Sequence, residues 1–202
     1  MDKKGQPPQS FAFGGASMPT RDKFKFSVRK LEELVLVIVQ KASDIGVTKL
    51  EKLLYLCDFI SAERTGFPIT GETYRHFDRG PVPKHIVPIL GQMEKHQLSK
   101  EVIPLKSGKF VKFKVKHGPD QTAFSQAEKK IITEVLAQFG GMSSQELVAY
   151  VHNDLTYKAT KRNEDIPYSL AAYRRYTKPD RAAAEALKDD PDYMRVLNAA
   201  LA

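Results

Sequence analysis

The side chains able to do chemistry in this 202-residue chain are scattered. Histidines stand at positions 76, 85, 96, 117 and 152, and the single cysteine is Cys57. A structural zinc site needs four nitrogen or sulfur ligands at short spacings. His85 and His96 alone could share a helical face, and Cys57 has no nearby second thiol, so surface histidines are the better reading. A phosphate cradle needs a Gly-rich turn between strand and helix. Gly14-Gly15 and Gly140-Gly141 lack the flanking strand. Cys57 falls on the core face of an apolar helix, where a thiol packs rather than attacks. His76, Asp78 and Arg79 form the most polar cluster. An Asp-Arg pair before Gly-Pro reads first as turn chemistry with a local ion pair. No acid, base, nucleophile, metal set or phosphate cradle converges. No catalytic residue and no cofactor is assigned, and function is sought in recognition of other molecules.

Charge sharpens that search. The formal net charge is +8, but residues 1–30 carry +5 and residues 100–116 another +5, which leaves the rest slightly acidic. This is a near-neutral globule with a basic tail and one basic element, not a uniform nucleic-acid binder. In that element Val111, Phe113 and Val115 alternate with Lys112, Lys114 and Lys116, the period of a strand. A rise of ~3.3 Å per residue sets alternate lysines ~6.6 Å apart on one face. Such a row can follow phosphates, meet an acidic protein surface, or simply guard an exposed edge. Only Phe110 interrupts the lysine face, so stacking on single-stranded bases is disfavoured.

The elements that position these residues follow from periodicity. Residues 1–25 read as a disordered basic tail rich in Gly, Pro, Ser and Gln. From Ser27 a helix carries Leu31, Leu34, Val35, Ile38 and Val39 on one side. Thr48 with Glu51 reads as a capping box for a second helix with Leu50, Leu53, Leu54, Cys57 and Ile60 as its core stripe. Pro68 to Pro83 reads as extended, and Pro83 suits the first turn of a helix through Ile86, Ile89, Leu90 and Met93, with Pro88 inside it as a kink. Val102–Leu105 and Val111–Val115 form a hairpin about Ser107-Gly108. Ser125 with Glu128 and Ser143 with Glu146 open two further helices. Short helices follow, the last part (179–202) as a helical extension whose end, Asn198-Ala-Ala-Leu-Ala202, reads first as the final turn of an Ala-rich helix and second as a tail of the kind bacterial proteases engage. The fold class is mainly α (α+β), a compact multi-helix domain with a small β-hairpin. One thiol suits a reducing compartment, no apolar run is long enough to span a bilayer, and no secretory leader is visible. A cytoplasmic protein without a membrane partner is expected.

Three pieces of this chain together resemble the Panacea domain, the SocA-like antitoxin family often found beside phage and toxin genes. Lys49, Leu50, Lys52, Leu53, Leu54, Tyr55 and Asp58 match its "KLxKLLYxxD" helix. Pro68, Ile69, Thr70, Gly71 and Tyr74 match its "PITGxxY", and Gly80, Pro81, Val82 and Pro83 its "GPVP". A weaker piece is His152, Tyr157, Thr160 and Ile166-Pro167-Tyr168. The resemblance runs from near Phe26 to about Tyr173, within a domain drawn at 26–178. Two positions depart: Arg79 stands where relatives often carry an aromatic residue, and Tyr157 where they often carry Trp.

The resemblance implies an antitoxin that neutralises a cognate protein toxin by direct binding, with no catalytic group carried over. Alternatives are an adaptor that delivers a toxin to a protease, and a DNA-binding autoregulator that uses the basic hairpin as a wing on operator DNA. The signature reads as scaffold. Partner contact is expected at the exposed 72–79 segment, through Arg75, His76, Asp78 and Arg79, and at Lys112, Lys114 and Lys116, with the two tails as further candidates.

Overall fold

The computed structural model describes residues 24–106, 108–174 and 187–201. Most of the 1–25 tail therefore lies outside the described residues, as do the chain end Ala202 and the stretch from 175 to 186. Helix α1, Val28–Lys41, starts where the sequence places it: Ser27 Oγ accepts from the Lys30 amide at 3.3 Å. Helix α2, Val47–Thr65, is the axis of the domain. It is buried on every side from Leu53 to Ala62, so Tyr55 and Phe59 are as inaccessible as the leucine stripe. A helix that is apolar all round needs partners all round. Here they are α1, the helices Gln126–Phe139 and Ser144–His152, the strand Gly80–Pro83 and the turn Tyr168–Tyr173.

Strands β1 (Tyr74–Phe77) and β2 (Gly80–Pro83) form a tight hairpin, and β5 (Asp165–Ile166) adds to the other side of β1, giving the order β2-β1-β5. Pro83 is therefore a strand residue rather than a helix start. The Lys84 N–H meets Thr73 O at 2.9 Å, which fixes the alternation of bonded pairs down the hairpin. Pro81 and Pro83 fall on the positions whose nitrogens face away from β1, and β2 is an edge strand, so neither missing donor costs a ladder bond. Helix α3 runs Ile86–His96 without a break, and Pro88 sits in its first turn, where an absent N–H costs no intrahelical bond.

Strands β3 (Leu98–Leu105) and β4 (Gly108–Val115) make the second hairpin, with Leu98 opposite Val115 and Leu105 opposite Gly108. The outer edge of β4 is closed by the 44–46 loop, since Phe113 N–H donates to Ile45 O at 2.8 Å. The free edge is β3, which carries Lys100 and Pro104.

Helices α4 (Gln126–Phe139) and α5 (Ser144–His152) both start with complete capping boxes, Ser125/Glu128 and Ser143/Glu146. The Thr48/Glu51 box does not form. Gly46 is the N-cap of α2, and Glu51 instead faces Lys52 at 3.1 Å. Helix α6 (Leu155–Lys158), the 168–173 turn and helix α7 (Pro191–Leu201) complete the domain. Tyr193 and Val196 bury α7 against α6 and that turn. At the other end the packed body reaches back to Phe24, whose ring meets Phe67 and Tyr168 edge-on, and Phe26 stacks on His85 at 4.7 Å.

Candidate partner-binding site

The polar residues of the signature are turned inward. Asp58 is fully buried on α2. Its carboxylate accepts from the Thr70 amide at 2.7 Å, the Thr70 hydroxyl at 2.5 Å and the Tyr74 hydroxyl at 2.8 Å. One side chain thus pins the Pro-Ile-Thr-Gly turn and the first residue of β1 to the central helix. Burial raises the Asp58 pKa to about 6, with the Thr70 and Tyr74 bonds holding it from going further. Glu72, next in the turn, is also buried. It accepts from the Thr73 amide at 2.6 Å and from His85 Nδ1 at 2.8 Å. The 72–79 segment is consequently not an exposed loop: Glu72 and Tyr74 are in the core, and only Asp78 and Arg79 at the hairpin tip are open.

A second buried chain links α2 to α6. Thr156 Oγ1 donates its single hydrogen to Asp154 Oδ1 at 2.9 Å, so the Tyr55 hydroxyl is the donor in its contact with Thr156. Asp154 is bridged on its other oxygen by Arg174 at 2.6 Å, and Arg174 also meets Glu63 of α2 at 2.9 Å. Burial raises the Asp154 pKa, and Arg174 opposes that rise. Asp154, Arg174 and Glu63 carried no signal in the sequence, because they lie far apart along the chain.

Lys52 is the third anchor. Its stem is buried, and Nζ donates to Pro81 O at 2.9 Å and meets Glu51 at 3.1 Å. Burial pushes Glu51 up and Lys52 down by more than their attraction restores. The Pro81 carbonyl is free to accept because it points away from β1, for the reason its nitrogen does. Gly80 has φ +93, and a Cβ there would lie 2.9 Å from Val151 and 3.1 Å from Lys52, so the position takes only glycine. Beside it His76, Tyr157 and His152 form a stack of rings, with centroids 3.8 and 4.9 Å apart. Thr160 gives its hydrogen to Tyr157 O, so His76 Nδ1 carries the proton in their 3.1 Å contact. Tyr157 does more than pack: its hydroxyl donates to Phe77 O at 2.8 Å.

The residues expected to meet a partner lie on two hairpins. On the first, Arg75 is tied to Asp165 at 3.0 Å, His76 is held in its stack, and Asp78 pairs with Arg162 at 3.2 Å. Arg79 is exposed and makes no ion pair with any described residue. On the second, Lys112 meets Asp44 at 2.7 Å, Lys114 meets Glu101 at 2.9 Å, and Lys116 donates to Glu94 O at 2.9 Å. The lysine row is largely neutralised from within. The distal end of the same hairpin is apolar and open, with Val102 58% and Leu105 55% exposed. Among the described residues no group of three His, Cys, Asp or Glu side chains is placed to hold a metal ion, and no helix is long and apolar enough to cross a membrane.

A family model described as "Antitoxin SocA-like, Panacea domain" matches residues 50–155, just over half of the chain. The chain belongs to this family. No curated protein and no solved structure matches it. Membership puts a toxin–antitoxin role behind the geometry. It also gives the buried anchors a common meaning, since Lys52, Asp58, Thr70, Tyr74 and Gly80 all lie inside the matched span. Sequence reasoning missed Lys109 as a surface candidate. The structure brings it, with Phe110 and Val111, beside Arg79 in one groove. Two hairpins thirty residues apart meet there, which no local pattern announces.

Proposed function

We propose that this chain is an antitoxin that neutralises a cognate protein toxin by direct binding, without catalysis of its own. The observation that carries the reading is how the signature is used. Its polar side chains are consumed by internal bonds, which leaves the hairpins and the grooves between them for recognition. The exposed Val102 and Leu105 lie on opposite faces of β3, so each face of the hairpin offers an apolar contact point beside lysines. A protease adaptor role would use the same surface. The operator-binding alternative has less support, because Lys112 and Lys114 already carry carboxylate partners and offer little free charge for phosphates. The test is co-expression with each adjacent gene. One product should arrest growth alone and be silenced by this chain. If no neighbour is toxic, or if toxicity persists with this chain abundant, the reading fails.

A further inference from the structure

Between the N-terminal ends of α2 and α5 and strand β4 lies a groove of about 690 Å³, within the size range of specific binding sites. The start of α2 from Gly46 to Lys49, the start of β4 from Lys109 to Val111, the turn before α5 and Arg79 all line it. Both of its carboxylates are hydrogen-bonded. Asp44 is held by Lys112 at 2.7 Å, and Glu146 accepts from the Ser143 amide at 2.7 Å. Lys49 is hydrogen-bonded as well, to Ser43 O at 2.7 Å. Arg79 and Lys109 are different: both are exposed, and neither makes an ion pair with a described residue. Lys49, Arg79 and Lys109 outnumber Asp44 and Glu146 along the groove, so its balance of charge is positive.

The floor adds to it. A Cβ at Gly46 would stand 2.8 Å from the Phe110 ring and 3.2 Å from Val111 O, so the close approach of β4 favours glycine at this N-cap, where α1, α4, α5 and α6 carry Ser or Asp. The first turn of α2 therefore has no side-chain cap and no acidic residue. Its first amides and positive helix end line the same groove as Arg79 and Lys109. Phe110, Val111 and the half-exposed Val47 supply apolar contact alongside.

We propose that this groove receives an acidic segment of the partner protein, with a carboxylate seated between Arg79 and Lys109. The identity of that partner as a toxin rests on the antitoxin reading; the acidic character rests on the groove alone. Duplex DNA fits less well, since the rim also carries Asp44 and Glu146, which oppose a continuous phosphate row.

The test uses the full chain, isotope-labelled, titrated with a peptide of alternating Asp and Leu, with its Lys-Leu counterpart, and with a short DNA duplex. The acidic peptide should shift the amides of Val47, Thr48 and Ser143. The R79E/K109E variant should weaken its affinity by about tenfold or more at unchanged Tm. Absence of shifts in the groove, equal affinity of the double variant, or preference for the Lys-Leu peptide or the duplex would overturn the proposal. Because no toxin enters this titration, the groove can fail while neutralisation in cells holds, and the reverse.

Discussion

Tyr74 donates its hydroxyl hydrogen to Asp58 Oδ2 across 2.8 Å, and neither side chain reaches solvent. A strand and the central helix are joined there by a charge-assisted bond in a region of low dielectric, where such bonds are strong and their loss is expensive. The most recognisable residues of the family thus act on the fold.

Asp58→Ala leaves the Thr70 amide, the Thr70 hydroxyl and the Tyr74 hydroxyl without their acceptor. The expected loss of stability is about 3–5 kcal/mol, read from urea unfolding. A loss below about 1 kcal/mol would mean that the bonds are replaced by others.

The same residue gives a pH signature. Its folded pKa, about 6, lies above the ordinary 3.8, so the folded state binds the extra proton between those values. Its contribution is fully present below pH 3.8 and is lost as pH rises through 6. Between pH 7.5 and 5 the stability difference between the parent and Asp58→Asn should move toward the parent by about 1.4 kcal/mol. Comparison with the variant is needed because His76, whose pKa burial lowers, acts in the opposite sense as pH falls. A flat difference would show that Asp58 titrates as an ordinary carboxyl group.

Removing Asp154 takes from the buried Arg174 the more deeply buried of its two carboxylate partners and leaves Thr156 without its acceptor. Asp154→Ala should cost about 3–5 kcal/mol, and Gly80→Ala, through positive φ and contact with Val151 and Lys52, about 2–4 kcal/mol. Thermal unfolding checks both, and neither substitution should alter partner affinity in the fraction that stays folded.

Cys57 is buried, and burial drives its thiol pKa well up. Its modification by a thiol reagent should follow global unfolding and slow by orders of magnitude in the native protein. Rapid labelling under native conditions would contradict the packing of α2.

Much of the architecture was legible in the sequence, and the exceptions have physical causes. Ser125/Glu128 and Ser143/Glu146 form as read, because a capping box needs only residues three apart and a free helix start. Thr48/Glu51 has the same spacing and fails: Phe110, some sixty residues away, packs on Gly46, and Glu51 turns to Lys52. Pro83 looked like a helix start because its strand is an edge, where proline is tolerated. The lysine alternation was legible, but the carboxylates that neutralise it, Asp44 and Glu101, are assigned only once the chain is folded. The groove that joins Arg79 to Lys109 is wholly tertiary.

The central claim, that the inward-facing signature supports a partner-binding surface, is tested most directly by calorimetric titration of the purified chain against the neighbouring gene product that it silences. Saturable binding is predicted for the parent. Val102→Asp with Leu105→Asp should abolish binding at unchanged Tm, because both positions are exposed and outside the buried frame. Silencing in cells without a measurable complex, or a complex indifferent to that double substitution and to R79E/K109E alike, would contradict it.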